Sequence, residues 1–226
     1  MIKHIGLILD GNRRWSKKHA LKPWEGHEAG RLTLSILTKY WAVKTDIKYL
    51  SLYALSLKNF LRRSSLEKKL LYGSLERGFV DLLNDKLLEK EKIRVKIIGK
   101  WNLLPDKKLK KVLNEIVSKT KKHNKKVLSF FICYDGQDEI TEAAKKIKKV
   151  QRITRSTIKD NLFTKDLPPV DLLIRTGGEH RLSGFMLWDI SYAELYFTDI
   201  LFPEFTPSNF NNAITEYKNR KRRFGK

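Results

Sequence analysis

The sequence Ile5-Gly6-Leu7-Ile8-Leu9-Asp10-Gly11-Asn12-Arg13-Arg14-Trp15 decides how the rest of the chain is interpreted. It begins with a short apolar run, which is typical of a buried strand. The run stops at residues 10–12, whose types favour turns and helix N-caps, and residues 13–18 are predicted to begin a helix. A strand that turns straight into a helix presents free backbone N–H groups and the positive end of the helix dipole, so the stretch predicts an anion site.

The side chains of this stretch refine the prediction. Arg13 and Arg14 supply charge-assisted donors that suit phosphate. Asp10 is a carboxylate placed among them, and Mg²⁺ is usually held by one or two carboxylates together with substrate oxygens. The stretch therefore predicts a site for phosphate and magnesium, and the alternative is an ordinary strand–turn–helix with a capping aspartate.

Composition limits the class of protein and of partner. A chain of 226 residues suits one sizeable domain or two small ones. Lys and Arg number 47 against 25 Asp and Glu, a net charge of +22, which favours a polyanionic partner such as nucleic acid, an anionic membrane or a phosphorylated substrate. The single Cys133 lies in an apolar run and is expected to be a buried thiol. Without a signal peptide or an apolar run long enough to cross a bilayer, we expect a cytoplasmic protein, with peripheral membrane contact left open.

Six apolar runs alternate with five longer helical patterns. The predicted strands are Ile5–Leu9, Tyr49–Leu55, Arg94–Ile98, Val127–Tyr134, Leu172–Arg175 and Leu195–Phe197, and the predicted helices are His27–Val43, Leu66–Glu91, Pro105–His123, Gln137–Val150 and Ser208–Arg223. The alternation predicts a single α/β domain over residues 1–226, with a mostly parallel sheet flanked by helices. Ligands bind at the carboxyl ends of such strands, so Asp10, Ser56 and Arg175 are expected to share a site.

The predicted helix Leu66–Glu91 carries apolar residues at a helical period: Leu66, Leu70, Leu71, Leu75, Phe79, Leu82, Leu83 and Leu87. Such a stripe is most often directed at the core. Beside a phosphate site it also suits the wall of a pocket for a hydrocarbon chain.

Further segments carry polar chemistry. His27 follows Pro23-Trp24-Glu25-Gly26 and can donate to phosphate or move a proton, although a lone histidine is more commonly a cap or a surface residue. The segment 53–63 is a strand followed by a polar loop with cations, which alone is a weak signal.

The segment 172–183 runs from a buried strand into Arg175, two glycines, Arg181 and Ser183. Glycines let backbone N–H groups approach an anion, so a second phosphate site is predicted here, with a plain glycine-rich turn as the alternative. Glu194, just before another strand, is either a second metal carboxylate or a salt-bridge partner for nearby arginines.

Together these motifs resemble the cis-prenyltransferase family, typified by undecaprenyl and dehydrodolichyl diphosphate synthases. The matching text is residues 4–15, Gly26-His27-Glu28-Ala29-Gly30, residues 171–183, Leu187-Trp188 and residues 192–199, in the right order over nearly the whole chain. The motifs Asp-Gly-Asn-x-Arg-Trp and Arg-Thr-x-Gly-Glu-x-Arg-Leu-Ser are together highly specific.

The resemblance implies the fold of that family and a role for each matching residue. Asp10 is expected to bind Mg²⁺, with Glu194 as the second metal-associated acid, and Asn59 to help remove a proton. The allylic diphosphate is expected at Gly11, Asn12, Arg13, Arg14, Trp15 and His27. Ser56, Leu57, Lys58 and Phe60 are also expected to bind substrate, and Arg62 to contact phosphate. Isopentenyl diphosphate is expected at Arg175, Arg181, Leu182 and Ser183. Arg223 and Gly225 match a C-terminal motif that completes the partner's site in family dimers, so a homodimer is expected.

The implied activity joins isopentenyl diphosphate to an allylic primer, farnesyl or geranylgeranyl diphosphate. The product would be a medium-to-long Z-polyprenyl diphosphate, precursor of a glycosyl carrier lipid. Pro23, Leu57, Lys58, Asp135 and Gln137 depart from the family pattern, which affects the detail of allylic binding and not the reaction class. Two alternatives are a non-catalytic accessory subunit of a two-chain enzyme and a basic nucleic-acid-binding protein, although no nucleic-acid module is recognised and no nucleic-acid partner is expected.

Overall fold

Residues 1–148 and 150–220, which the computed structural model describes, contain six strands that pair into one sheet. The strands are β1 (His4–Ile8), β2 (Tyr49–Ser56), β3 (Ile93–Ile98), β4 (Lys126–Tyr134), β5 (Leu172–Arg175) and β6 (Glu194–Phe197). Every neighbouring pair is parallel, and the spatial order is β3-β4-β2-β1-β5-β6. The predicted parallel sheet is confirmed, and each strand end differs from its prediction by at most one residue.

Helices connect and cover the strands. In the same described ranges they are α1 (Asn12–Lys18), α2 (Pro23–Lys44), α3 (Leu57–Arg62), α4 (Ser65–Asn84), α5 (Leu87–Lys90), α6 (Lys107–Thr120), α7 (Gly136–Ile147), α8 (Arg155–Lys159) and α9 (Pro207–Asn219). None of them combines the length and the apolarity that crossing a bilayer requires.

The sheet is buried on both faces, because alternate residues of each strand belong to different apolar clusters. In β4, Leu128 and Phe130 pack in the cluster beneath α2, α4, α6 and α9, whereas Val127 and Phe131 pack in the cluster on the other face. Cys133 is fully buried, as predicted, and burial raises the pKa of its thiol to about 12.

The prediction of one helix over Leu66–Glu91 was wrong. Helix α4 ends at Asn84, the backbone of Asp85 is extended, and α5 starts at Leu87. The Asp85 carboxylate accepts the backbone N–H of Leu87 at 2.9 Å. Asn and Asp compete with helical hydrogen bonds in this way, so the pair interrupts an otherwise continuous apolar period.

Other helix bounds also differ. Helices α3 and α8 were not predicted, because six and five residues are too few to show a period. The predicted Gln137–Val150 ends at Ile147. The last predicted helix, Ser208–Arg223, is described to Asn219, and its final residues 221–223 lie outside the described residues.

Two glycines of α2 allow that helix to pack against the start of α1. A Cβ atom on Gly26 would lie 2.1 Å from the backbone oxygen of Asn12, and one on Gly30 would lie 2.2 Å from its Oδ1. Real Cβ atoms do not approach so closely, so the backbone of α1 can occupy this place only beside glycine. The contact fixes the segment that carries Asp10 and Gly11.

We predict that Gly26→Ala lowers the free energy of unfolding by about 1–3 kcal/mol, because the added methyl group overpacks the contact with Asn12. Gly73→Ala is the matched control. It lies in α4, where the nearest atom to an added Cβ is the flexible Arg77 side chain at 3.5 Å, and alanine favours a helix. Denaturant unfolding of both variants checks this, and equal loss of stability in the two would contradict it.

Candidate active site

A cavity of about 1330 Å³ opens where β1, β2 and β5 reach their carboxyl ends and continues between α2 and α4. Asp10, Ser56 and Arg175 all line it, so the three residues at strand ends lie in one cavity. Pockets for drug-sized ligands measure about 300–1,000 Å³. This cavity therefore has room for a larger ligand.

The lining divides by chemistry. Polar and cationic residues gather where the strands end: Asp10, Gly11, Asn12, Arg13, Arg14, His27, Ser56, Lys58, Asn59, Arg63, Arg175, Arg181 and Ser183. Apolar residues line the part that α2 and α4 cover: Leu34, Leu71, Leu75, Phe79, Leu82, Leu87, Phe130 and Phe202. The cavity suits a ligand with an anionic end and an apolar body.

Asp10 is held between two arginines. Arg175 Nη2 donates to its Oδ2 at 2.8 Å, and Arg14 Nη2 lies 3.2 Å from its Oδ1. The backbone N–H of Gly11 also donates to Oδ1, at 2.7 Å. The carboxylate is thereby fixed in orientation at the entrance to α1.

Arg175 organises the neighbouring loop as well. Its side chain is buried, and Nη1 donates to Ser183 Oγ at 2.9 Å and to the backbone oxygen of Arg181. Its Nε–H is buried and has no partner among the described residues. A buried donor without an acceptor is costly, so this N–H is suited to donate a hydrogen bond to an oxygen atom of a ligand.

The start of α1 offers further donors. Gly11 precedes the helix in the left-handed region with φ 110°. Trp15 N–H bonds to the oxygen of Gly11, whereas the N–H groups of Asn12, Arg13 and Arg14 have no acceptor within the described ranges. The strand–turn–helix and its free N–H groups are present as the sequence predicts.

The two glycines after Arg175 do not form a phosphate nest. The N–H of Gly177 donates to Ile200 and that of Gly178 to Thr198, both at 2.8 Å, so neither is free for an anion. A Cβ on Gly177 would lie 2.7 Å from Arg14 Nη2, and its φ is +86°. The glycine is needed so that Arg14 can pack against this loop and donate to its carbonyl.

His27 lies among cations. Burial, together with the charges of Arg63 and Arg13, lowers the pKa of the imidazole to about 4. Near pH 7 the ring is therefore neutral and offers one N–H donor and one acceptor. Burial also lowers the pKa of Arg63.

The structure places Arg63, and not the predicted Arg62, in the cavity lining. Helix α3 ends at Arg62, which is exposed, and Arg63 is extended. The change of backbone at the helix end turns the two adjacent side chains in different directions. The sequence indicated that an arginine at position 62 or 63 would contact the ligand, but it could not show which of the two faces the cavity.

Several other predicted residues do not line the cavity. Trp15 packs against His19, with ring centroids 4.4 Å apart and ring planes tilted by 33°. Leu57 and Phe60 pack against the core beneath α2 and α4, and Leu182 packs against the cluster on the other face of the sheet. Tyr53, Asp135 and Gln137 line the cavity instead, and neither composition nor periodicity distinguished them.

Glu194 does not share a cation site with Asp10 within one copy of the chain. It begins β6, opposite Leu172 at the amino end of β5, whereas Asp10 follows β1 at the carboxyl end of the sheet. Glu194 instead pairs with Arg220 at 3.0 Å. Among the described residues no group of at least three His, Cys, Asp or Glu side chains could hold a metal. Arg223 and Gly225 lie outside the described residues.

Comparison with known proteins agrees with this geometry. A family model described as "Putative undecaprenyl diphosphate synthase" matches residues 8–225. A tritrans,polycis-undecaprenyl-diphosphate synthase (geranylgeranyl-diphosphate specific) from Pyrococcus abyssi is 39% identical over 99% of this chain and 87% of its own length. A relative from Sulfolobus acidocaldarius with the same name, marked GGDP specific, is 37% identical over 98% of this chain and 87% of its own.

Solved structures are also similar. Lavandulyl diphosphate synthase from Lavandula x intermedia, in complex with dimethylallyl diphosphate, superposes with a TM-score of 0.93 and 30% identity, covering 100% of this chain and 98% of that one. A probable undecaprenyl diphosphate synthase from Campylobacter jejuni superposes with a TM-score of 0.81 and 31% identity, covering 100% of this chain and 99% of that one. Both similarities extend over the sheet and all the segments that line the cavity.

We predict that Asp10→Ala abolishes turnover and leaves the fold intact. Turnover is lost because this carboxylate lies between Arg14 and Arg175, and the fold is kept because the side chain is only partly buried. The measurement is product formation under saturating substrates, with circular dichroism and thermal melting as controls. Turnover near the parent value in the folded variant would refute a catalytic role for Asp10.

We predict that His27→Gln makes stability less sensitive to acid. The unfolded histidine has a pKa near 6.5 and the folded one about 4, so on acidification the unfolded state binds the proton first and the parent loses stability below about pH 6.5. Between pH 7 and pH 5 the parent should lose roughly 2 kcal/mol more than the variant. Equal slopes for the parent and the variant would contradict the prediction.

Proposed function

Because the chain belongs to the undecaprenyl diphosphate synthase family, we propose how its cavity carries out the reaction of that family. The protein is a cis-prenyltransferase, a transferase that condenses isopentenyl diphosphate with an allylic prenyl diphosphate. The observation that carries the assignment is the cationic cluster around Asp10, joined to a long apolar cavity. The accessory-subunit and nucleic-acid alternatives are not retained. We take residues 1–226 as one catalytic domain.

The cationic cluster divides into two subsites for two diphosphates. We assign the allylic diphosphate to the start of α1, where Arg13, Arg14 and free backbone N–H groups are available, with His27 and Arg63 beside them. We assign isopentenyl diphosphate to Arg175, Arg181 and Ser183. Arg175 supports this assignment, because one guanidinium bonds both Asp10 and Ser183 and so couples the two subsites.

In the reaction, the double bond of isopentenyl diphosphate attacks the allylic carbon. A carbon–carbon bond forms and the carbon–oxygen bond to the allylic diphosphate breaks. The C–H bond at C2 of isopentenyl diphosphate then breaks, its electrons form the new double bond, and the released diphosphate can accept the proton. The arginines orient two polyanions side by side, which repel each other in water, and this positioning supplies much of the rate enhancement. Asn59, which lines the cavity at the start of α3, is proposed to help remove this proton.

The residues present fit a Mg²⁺ ion held jointly with substrate. Mg²⁺ commonly uses one or two carboxylates plus phosphate oxygens, and Asp10 is a fixed carboxylate beside the proposed allylic subsite. Bound there, Mg²⁺ would neutralise charge that develops on the leaving diphosphate. A dedicated cage of protein ligands is not needed for this use.

The apolar part of the cavity accounts for a growing polyprenyl chain. Burial of each CH₂ group contributes about 0.8 kcal/mol, so the cavity favours extension along α2 and α4. We propose geranylgeranyl diphosphate as the primer and a product of undecaprenyl length, by analogy with the relatives named above. Such a product would serve as a precursor of a glycosyl carrier lipid.

We also propose contact with the surface of a membrane, where a hydrocarbon product must be delivered. Leu32, Ile36 and Val43 support this, because these large apolar side chains of α2 are each more than half exposed. They belong to α2, the same helix that lines the cavity.

The primer assay tests the function directly. With labelled isopentenyl diphosphate and Mg²⁺, geranylgeranyl diphosphate should support faster elongation than farnesyl or dimethylallyl diphosphate at equal concentration. Products are dephosphorylated and sized. Absence of elongation from every primer would refute the proposed function, whereas preference for farnesyl diphosphate would refute only the choice of primer.

We propose a homodimer in which the C-terminal residues of one copy complete the site of the other. A mixture of Asp10→Ala protein with a variant lacking residues 223–226 should then regain activity, although each is inactive alone. Random exchange gives mixed dimers in which one site has both Asp10 and an intact tail from its partner, about a quarter of all sites. A mixture that stays inactive after subunit exchange, verified by sedimentation, would contradict a shared site.

A further inference from the structure

Two ion pairs join the helices that form the walls of the apolar cavity. Arg31 of α2 pairs with Asp81 of α4, and Lys39 of α2 pairs with Asp85, just after α4, at 3.3 Å. All four residues line the cavity. Ion pairs are unexpected in a cavity for hydrocarbon, so their position requires an explanation.

The first pair is built firmly into the wall. Glu28 accepts from Arg31 Nη2 at 2.6 Å, and it also accepts from Arg77 and Ser74 of α4, at 3.1 and 3.3 Å. Two carboxylates therefore hold the guanidinium, and they raise the pKa of Arg31. The cluster contains side chains from both helices, so it connects the helices rather than capping one of them.

The aliphatic stem of Arg31 lies against α4 at Gly78. A Cβ on Gly78 would lie 3.4 Å from both Cγ and Cδ of Arg31, which is ordinary van der Waals contact. The aliphatic part of the side chain thus lies across α4 while its charged end reaches Asp81. Arg31 is 21% exposed at its side chain and Asp81 is 63% exposed, so the pair lies at the solvent edge of the cavity.

The two pairs lie at successive distances from the cationic cluster. Counting from His27 along α2, Arg31 is about 6 Å and Lys39 about 18 Å away at 1.5 Å per residue. A chain that grows away from the diphosphate subsites therefore passes the first pair and then reaches the second. Beyond the second pair the break between α4 and α5 interrupts the wall.

We propose that the pairs Arg31–Asp81 and Lys39–Asp85 determine product length, by tying α2 to α4 and so fixing the space available to the polyprenyl chain. This inference rests on the proposed function. An apolar chain that forced the helices apart would have to separate both pairs and also break the bonds from Ser74 and Arg77 of α4 to Glu28 of α2, so several contacts together hold the spacing. The chain stops growing when the enclosed space is filled, and with the pairs intact that space is fixed.

The test uses substitutions that break each pair and leave the rest of the wall in place. Asp81→Leu leaves Arg31 bonded to Glu28, and Lys39→Leu leaves Asp85 in place to accept the N–H of Leu87. Asp81→Glu and Lys39→Arg keep the charges. Asp166→Asn is the matched control, because it breaks an ion pair of similar exposure, with Lys96 at 3.0 Å, that lies outside the cavity.

The measurement is the ladder of products from labelled isopentenyl diphosphate, with thermal melting to confirm the fold of each variant. Asp81→Leu and Lys39→Leu should each move the main band to longer products, and their combination should move it further. Asp81→Glu, Lys39→Arg and Asp166→Asn should keep the parent ladder. Since each pair is tested by its own variant, failure of one protein to fold leaves the other decisive.

Three results would overturn the inference: an unchanged ladder in the folded leucine variants, a shift to shorter products, or an equal shift in the charge-keeping variants. Failure of the inference is distinguishable from failure of the proposed function. If only the inference fails, the parent still elongates the primer and the product ladder does not respond to the substitutions as expected. If the proposed function fails, the parent incorporates no label at all.

Discussion

The ion pair between Asp10 and Arg175 is the constraint on which the site depends. Ile8 and Arg175 are register partners in neighbouring parallel strands, so Asp10, two residues beyond the end of β1, lies close to the last residue of β5. Thr176 strengthens the junction, since its hydroxyl donates to the backbone oxygen of Asp10 and accepts from its N–H. Arg175 is buried, and a buried guanidinium without a partner would be strongly destabilising. Its other acceptors are Ser183 and the backbone oxygen of Arg181, so one guanidinium both holds the loop after β5 and orients Asp10 for the site.

Close backbone approach is the second requirement, and glycine meets it in two different ways. At Gly26 the lack of a side chain lets α2 reach the backbone of Asn12. At Gly177 a positive φ and the absence of Cβ let the loop after β5 lie against Arg14. Each glycine lets another element approach the segment 10–14, α2 in the first case and the loop after β5 in the second. The N–H of Gly177 bonds to the backbone oxygen of Ile200, so it is not free for an anion. A glycine-rich motif beside arginines thus has a packing function that its composition alone does not reveal.

The sequence predicted the strands well because buried parallel strands are short, apolar and bounded by turn residues, and these properties are local. It predicted that Asp10, Ser56 and Arg175 share a site, because carboxyl ends of parallel strands share an edge, although it did not predict the direct ion pair between Asp10 and Arg175. It could not separate Arg62 from Arg63, since the direction of each side chain depends on where α3 ends. It could not place Glu194 either, because strand order and the end of the strand at which an acid lies are tertiary properties. The break at Asp85 was hidden by an apolar period that continues across it.

A polyprenyl synthase must satisfy opposite demands within one cavity, because diphosphate needs cations and hydrocarbon needs a dry apolar wall. Helix α2 meets both. Its 22 residues extend about 33 Å, so a single rigid element reaches from His27, beside the cations, past Leu34 and Thr38 on the wall of the cavity. A wall built from helices has a fixed spacing, whereas loops would yield to a growing chain. The spacing of α2 from α4 is then a property of the contacts between them, and at the solvent side of the cavity those contacts are ionic. Length control in such an enzyme is accordingly a matter of helix–helix association as much as of the size of any single side chain.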